Sequence, residues 1–298
     1  MTSKLIVNRS MIALPPLAAE PIFHIGNFTV TNTIINGWLA TVIFAVFAFF
    51  VNVGIKKYYG TGTADKSARY SDKAPKGALN FFESILEVIL QQIDNVTKDR
   101  KKTLKFLPIV ASIFLFILVS NWLSQLPGTG SFGIFRGTEF IPVLRPATSD
   151  LNLTLGLAVS VVILSHILGI VAIGFFKYAN KFIKLGDIYH AFKSGKVMNI
   201  FVSFIEFFVG LLEVVSEVAK MVSLSLRLFG NIFAGEVLLT VIGSLIAFIV
   251  PLPFLGLELL VGIVQAMVFS LLTLVYLTVA TTAVHGHAET HGVEMEEA

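Results

Sequence analysis

The chain has 298 residues, 55% hydrophobic and 14% charged, with a formal net charge of +3. Such a composition belongs to a membrane protein, and a charge this small and scattered does not point to nucleic acid. There is no cysteine, which excludes disulfides, thiolate metal sites and a cysteine nucleophile.

Residues 1–30 read as an outer N-terminal segment. Lys4 and Arg9 precede a short apolar patch, but Pro15 and Pro16 break it, so an ordinary tail is expected rather than a cleaved signal peptide. Residues 31–55 are apolar and long enough for a first membrane span, since about 20 helical residues cross the ~30 Å hydrocarbon layer. At 78–97 the pattern changes. Phe81, Phe82, Ile85, Ile89 and Ile93 fall on one side of a helix, with Glu83, Glu87, Gln91 and Asp94 on the other. That amphipathic helix is expected to lie in the membrane interface. Residues 104–126 and 151–177 read as the second and third spans, and Asp150 as the N-cap of the latter.

Of the 22 Lys and Arg, eleven lie between Lys56 and Lys105 and five between Lys177 and Lys196. The stretch Pro127–Asp150 has only Arg136 and Arg145. The positive-inside rule then puts the N-terminus outside and the C-terminus in the cytoplasm, with five spans.

Residues 198–250 contain no proline and read as one helix. Fifty-odd residues make a rod of roughly 80 Å, so it must tilt, bend or lie along the membrane. Pro251 and Pro253 turn the chain, and 254–284 returns as an antiparallel partner, leaving 285–298 as a solvated, acidic, His-containing cytoplasmic tail. The expected fold is an all-α membrane protein forming a single membrane domain: five transmembrane helices, an interfacial helix and a long, steeply tilted C-terminal hairpin.

Glu206, Gly210, Glu213, Glu217, Lys220, Leu224, Arg227 and Asn231 recur along the long helix at steps of three and four, a polar stripe. Glu213 and Glu217 can pair with Lys220. Arg227 has no acid at a neighbouring turn, and its charge cannot be relieved by deprotonation. A guanidinium inside lipid costs roughly 2.5–3.5 kcal/mol on insertion scales, so it signals function. Small residues around it (Ser223, Gly230, Ala234) admit a second helix closely, and its counter-charge is expected from another chain. Glu236, nine residues on and about 180° around the helix, is expected to face the returning helix, where Glu258, Gln265 and Tyr276 share a face. Intramembrane carboxylates suit a proton path. His166, deep in the third span, reads as a hydrogen-bonded packing residue.

The stretch Ser223-Leu224-Ser225-Leu226-Arg227-Leu228-Phe229-Gly230-Asn231-Ile232-Phe233-Ala234-Gly235-Glu236 resembles the signature of subunit a of rotary ATP synthases, the proton-channel stator subunit. Pro146-Ala147-Thr148-Ser149-Asp150-Leu151-Asn152-Leu153-Thr154, and Gln265–Phe269 followed by Leu272–Leu277, fit the same family. The resemblance implies that Arg227 is the essential arginine facing a rotating ring of c subunits, with Asn231 and Gln265 as polar neighbours. It implies that Glu236 and Glu258 line an outer half-channel, that Asp150, Asn152 and Asn121 sit near its mouth, and that Glu213 lies near the cytoplasmic exit. Glu217 and Tyr276 are taken as further members of the ion pathway. The implied partners are the c ring, peripheral-stalk b subunits, other ATP synthase subunits and membrane lipid. No cofactor or metal is implied, and no catalysis by the chain alone. The implied location is a bacterial plasma membrane.

Two positions depart from the family pattern. Members often carry aspartate where this chain has Ser124, and some pair an acid with histidine where this chain has Glu236 and Glu258. Three rival readings fit less well. A secondary transporter clamping an anion with Arg227 would often show an internal repeat, and none is evident. A haem-bearing electron-transfer subunit would need paired intramembrane histidines. A structural anchor leaves the polar stripe without a reason.

Overall fold

The computed structural model describes residues 15–59, 78–126, 129, 132–136, 139–182, 197–246 and 249–282. Residues 1–14, parts of both basic loops and the tail at 285–298 lie outside them. The described residues form an all-α membrane protein with two small β-hairpins at one end.

The first hairpin pairs β1 (Pro21–Ile25) with β2 (Phe28–Thr31). Gly26 takes φ +61 in its two-residue turn, a left-handed conformation that costs glycine little. Helix α1 (Asn32–Tyr59) follows directly. Helix α2 (Ala78–Thr97) lays Ile89 and Ile93 onto α3 (Arg100–Gln125) and keeps Glu83, Glu87 and Gln91 exposed, as its amphipathic pattern requires. The second hairpin, β3 (Gly133–Arg136) with β4 (Glu139–Pro142), leads into a 3-10 turn at Ala147–Ser149. Neither hairpin was expected, because both lie in short, turn-rich connections with no sustained alternation.

Helix α4 (Leu151–Ile173) starts on Asp150, whose Oδ1 accepts from the Asn152 backbone N–H at 2.9 Å. The sequence reading carries this span to 177. Instead the helix stops at Gly174, at φ +95, and α5 (Phe175–Phe182) sets off in a new direction. The long helix is a single element, α6 (Val197–Leu245), and α7 (Pro251–Thr281) starts on the proline rather than three residues after it. Proline at a first helical position loses no hydrogen bond.

Among the described residues, four helices are long and apolar enough to cross a membrane: Asn32–Val53, Arg100–Gln125, Leu151–Ile173 and Pro251–Thr281. The core lies where α3, α4, α6 and α7 meet, around Phe106, Ile117, Leu224, Leu228, Phe269 and Leu274. Gly262 lets α3 close on α7: a Cβ there would lie 3.4 Å from Asn121 Cβ. Trp122 Nε1 donates to the Leu259 carbonyl at 3.2 Å across the same contact. Large apolar side chains such as Val171, Phe176 and Leu212 cover the outside, the arrangement expected of a surface facing lipid.

Candidate functional site

Leu224, Leu228 and Ile232 of α6 are buried in the core. Ser223, Arg227, Asn231 and Ala234 lie on the other side of the helix and are exposed. The polar stripe is therefore not one uniform face: at Arg227 it leaves the intramolecular contact. The guanidinium Nη2 donates to Ser223 Oγ at 3.5 Å, and among the described residues no carboxylate pairs with it. A fixed cation is thus presented on an apolar face with small residues about it.

One turn further along, a cavity of about 420 Å³ opens between α6 and α7. Asn231, Gly235, Glu258 and Gln265 line it among leucines and valines. Glu258 is 5% exposed, and among the described residues neither of its oxygens has a hydrogen-bond partner. The Gln125 amide faces it from α3, outside hydrogen-bonding geometry. A Cβ on Gly235 would stand 2.9 Å from Glu258 Cδ, so the glycine is what makes room for this carboxyl. Buried carboxyls without partners are costly as anions. A carboxyl in such a largely apolar cavity can hold a proton as well as release one.

Glu236 has a different environment. It forms an ion pair with Arg145, whose Nε lies 2.8 Å from Oε1 and 3.1 Å from Oε2. Arg145 is 2% exposed. Its other nitrogens donate to the carbonyls of Pro16 at 2.8 Å and Ala18 at 3.3 Å, and the guanidinium carbon lies 6.0 Å from the centre of the Phe233 ring. Glu236 and Glu258 remain close enough for their charges to interact, but among the described residues Glu236 alone of the two has a counterion.

A buried polar knot supports this pair. Asn36 Nδ2 donates to the Arg145 carbonyl at 2.7 Å. Thr33 Oγ1 donates to Asp150 Oδ2 at 3.0 Å, so Asp150 joins α1 to α4 as well as capping α4. Asn121 accepts from Thr148 Oγ1, and its amide nitrogen is buried without a partner. Thr154 and Ser225 hydroxyls meet at 3.2 Å, tying α4 to α6. Asp150 and Asn121 are thus buried structural groups in this conformation, while Asn152 is exposed.

At the other end of α6, Glu217 accepts from Lys220 Nζ at 2.7 Å, and Lys220 lies 5.5 Å from the centre of the Tyr276 ring. Tyr276 lies within electrostatic reach of Arg227, as a simple register of the hairpin predicts, and does not line the cavity that holds Gln265. Glu213 is half-buried one turn before Glu217.

A family model described as ATP synthase A chain matches residues 34–278. The chain belongs to the ATP synthase A chain family. It is similar to ATP synthase subunit a of Moorella thermoacetica, 31% identical over 266 residues, covering 89% of this chain and 96% of the relative. It is likewise similar to ATP synthase subunit a of Campylobacter jejuni subsp. doylei, 32% identical over 241 residues (81% and 93%). The same protein of Mycobacterium ulcerans is 32% identical over 260 residues (86% and 89%). As a member of the ATP synthase A chain family, the chain is a proton-translocating, multi-pass membrane subunit of the ATP synthase complex and is not catalytic alone.

Within this family framework, the geometry groups the expected residues into three sets: Arg227 with Ser223; Asn231, Glu258 and Gln265 around one cavity; Glu217 with Lys220 and Tyr276. Glu236 is drawn instead towards Arg145. Sequence reasoning missed Arg145, taking it for a loop charge, because its partner lies 91 residues away. One signal was available: it is a lone arginine between Pro142 and Pro146, next to the polar run Thr148-Ser149-Asp150.

Proposed function

We propose that this chain is the ion-translocating stator of its ATP synthase, carrying protons to and from the carboxylates of a c ring through two offset half-channels. The carrying observation is the exposed Arg227, with one long hydrogen bond to Ser223 and no carboxylate of its own chain among the described residues. Its counter-charge is a ring carboxylate. At ~6 Å and an effective dielectric of ~20 the attraction is roughly 3 kcal/mol, or about two pKa units on the arriving carboxyl. That is enough to drive proton loss as the carboxyl passes. The same charge repels a cation crossing directly between the half-channels, so ions traverse only when the ring turns.

The outer half-channel runs through the α6–α7 cavity, with Glu258 exchanging protons, Asn231 and Gln265 lining the approach to the ring, and Glu236, Asp150, Asn152 and Asn121 around the mouth. Glu213, Glu217 and Tyr276 belong to the cytoplasmic side. In this reading α1, α3, α4, α6 and α7 make five crossings, α2 lies in the interface, and α6 is inclined because its 49 residues span about 73 Å at 1.5 Å each. The N-terminus is outside, the C-terminus is in the cytoplasm, and the membrane is a bacterial plasma membrane. The peripheral-stalk b subunits and lipid cover the remaining apolar surface.

The test is the whole enzyme in liposomes carrying Arg227→Ala. The reading requires loss of ATP synthesis driven by an imposed proton gradient and loss of ATP-driven proton uptake, with the complex still assembled. Near-normal synthesis in that variant would remove the reading.

A further inference from the structure

Towards the α5 end of α4, His166 lines a groove of about 380 Å³ between α4, α5 and α6, together with Tyr178, Phe182, Val214 and Glu217. His166 Nδ1 lies 2.7 Å from Tyr178 Oη. Its Nε2 lies 3.9 Å from Glu217 Oε2. The second Glu217 oxygen accepts from Lys220, and Lys220 leads to Tyr276 beside Arg227. Glu213 acts electrostatically on Tyr178 from the next turn of α6. Among the described residues, the charged and titratable groups facing His166 are therefore Tyr178 from α5, Glu213, Glu217 and Lys220 from α6, and, behind Lys220, Tyr276 from α7.

Packing holds the arrangement in place. Phe182 meets the His166 and Tyr178 rings edge-on at 5.8 and 5.6 Å. Gly169, on the His166 face of α4, leaves the space that Tyr178 occupies. The break at Gly174 turns α5 so that Tyr178 comes back over α4. Burial, with the charges of Glu217 and Glu213 added, pushes the Tyr178 hydroxyl up to about 12, so it stays protonated and can both donate and accept.

A histidine serving only to pack needs one hydrogen bond. His166 has a different polar neighbour at each ring nitrogen, one on α5 and one on α6, the helix that carries Arg227. Neutral imidazole carries an N–H on one nitrogen and a lone pair on the other, so a proton can enter at one and leave from the other. We propose that Glu217, His166 and Tyr178 form a proton relay on the side of Arg227 opposite Glu258, with His166 as the transfer group.

This relay rests on the stator reading above. A proton held on Glu217 Oε2 passes to His166 Nε2. The Nδ1 proton passes to Tyr178 Oη, whose own proton goes to water in the groove. One proton enters and one leaves, and a return of the imidazole to its first tautomer resets the site. The 3.9 Å separation is closed by turning the Glu217 side chain or by one bridging water.

The experiment uses the complete enzyme in liposomes with His166→Gln, Tyr178→Phe and Arg227→Ala. Passive proton flux through the membrane sector after removal of the catalytic head is measured against the pH on the cytoplasmic side. Glutamine keeps hydrogen bonding but not proton transfer, so His166→Gln lowers the flux by about tenfold or more and flattens its pH profile. Tyr178→Phe lowers it less and also changes the profile. Wild-type flux and profile in both variants overturn the relay. If His166→Gln does not assemble, an unchanged profile in Tyr178→Phe overturns it alone. ATP synthesis is measured before the head is removed, and its continuation in Arg227→Ala would instead bring down the stator reading, so the two failures are distinguishable.

Discussion

Arg145 Nε lies 2.8 Å from Glu236 Oε1, although 91 residues separate the two in sequence. Arg145 is almost wholly covered and Glu236 is four-fifths covered. Among the described residues, Glu236 has a counterion and Glu258 has none, which is why the proposed channel gives proton exchange to Glu258.

Breaking that pair from one side leaves the other charge buried and uncompensated, which costs about 3–5 kcal/mol. Arg145→Met is expected to lower the thermal stability of the purified complex in nanodiscs markedly. The double variant Arg145→Met with Glu236→Leu is expected to recover most of the loss, since two apolar groups replace both charges together. A double variant no better than the single one would mean that Arg145 acts mainly through the Pro16 and Ala18 carbonyls.

Glu258→Gln removes the exchangeable proton while nearly keeping the volume. Proton pumping is expected to fall by about tenfold or more, the scale of a lost acid–base group. Folding stability should stay level or rise slightly, because a buried acid without a partner is lost. Dye-quench pumping assays read the first effect and thermal melts the second.

Gly235→Ala puts a methyl group 2.9 Å from Glu258 Cδ. The carboxyl must swing away from its present position in the cavity, so pumping is expected to fall severalfold with assembly intact. Combining it with Glu258→Asp, which draws the carboxyl back by one methylene, should restore part of the flux. The comparison of three pumping rates checks the geometry directly.

Gly169→Ala meets backbone as well as side chain: its Cβ would lie 2.8 Å from the Ala280 carbonyl oxygen. Overpacking of this kind costs about 1–3 kcal/mol. A lowered melting temperature is expected, together with displacement of Tyr178 and hence a changed pH profile of proton flux.

Arg227→Ala, by contrast, should leave stability within about 0.5 kcal/mol, because the side chain is exposed and among the described residues it hydrogen-bonds Ser223 alone. Loss of synthesis without loss of stability, read by melting the same preparations, separates function from folding at this position.

The legible parts of this protein are those with a local physical cause. Hydropathy and span length made it a membrane protein, and the charge of Arg227 inside an apolar run marked the exposed face that is proposed to meet the ring. Proline at 251 marked the turn between α6 and α7, and the spacing of Ile85, Ile89 and Ile93 marked the packed side of α2. Where reading stopped short, the cause lay in distance or in a single backbone angle. Gly174 breaks a span that hydrophobicity alone carries to 177, because one positive φ leaves no trace in an apolar average. The hairpins at 21–31 and 133–142 are too short for alternation to show.

The chain alone determined where the permanent charges sit and which helices are apolar enough for lipid, since both follow from residue type and spacing. Only the packed structure decided which charges meet. Arg145 reaches Glu236, Tyr178 reaches His166, and Glu258 is left without a hydrogen-bond partner among the described residues, because the 3-10 turn, α5 and α7 come in from remote segments. Ion pairs and hydrogen bonds depend on positions a few ångströms apart in space, and sequence separation does not encode those distances.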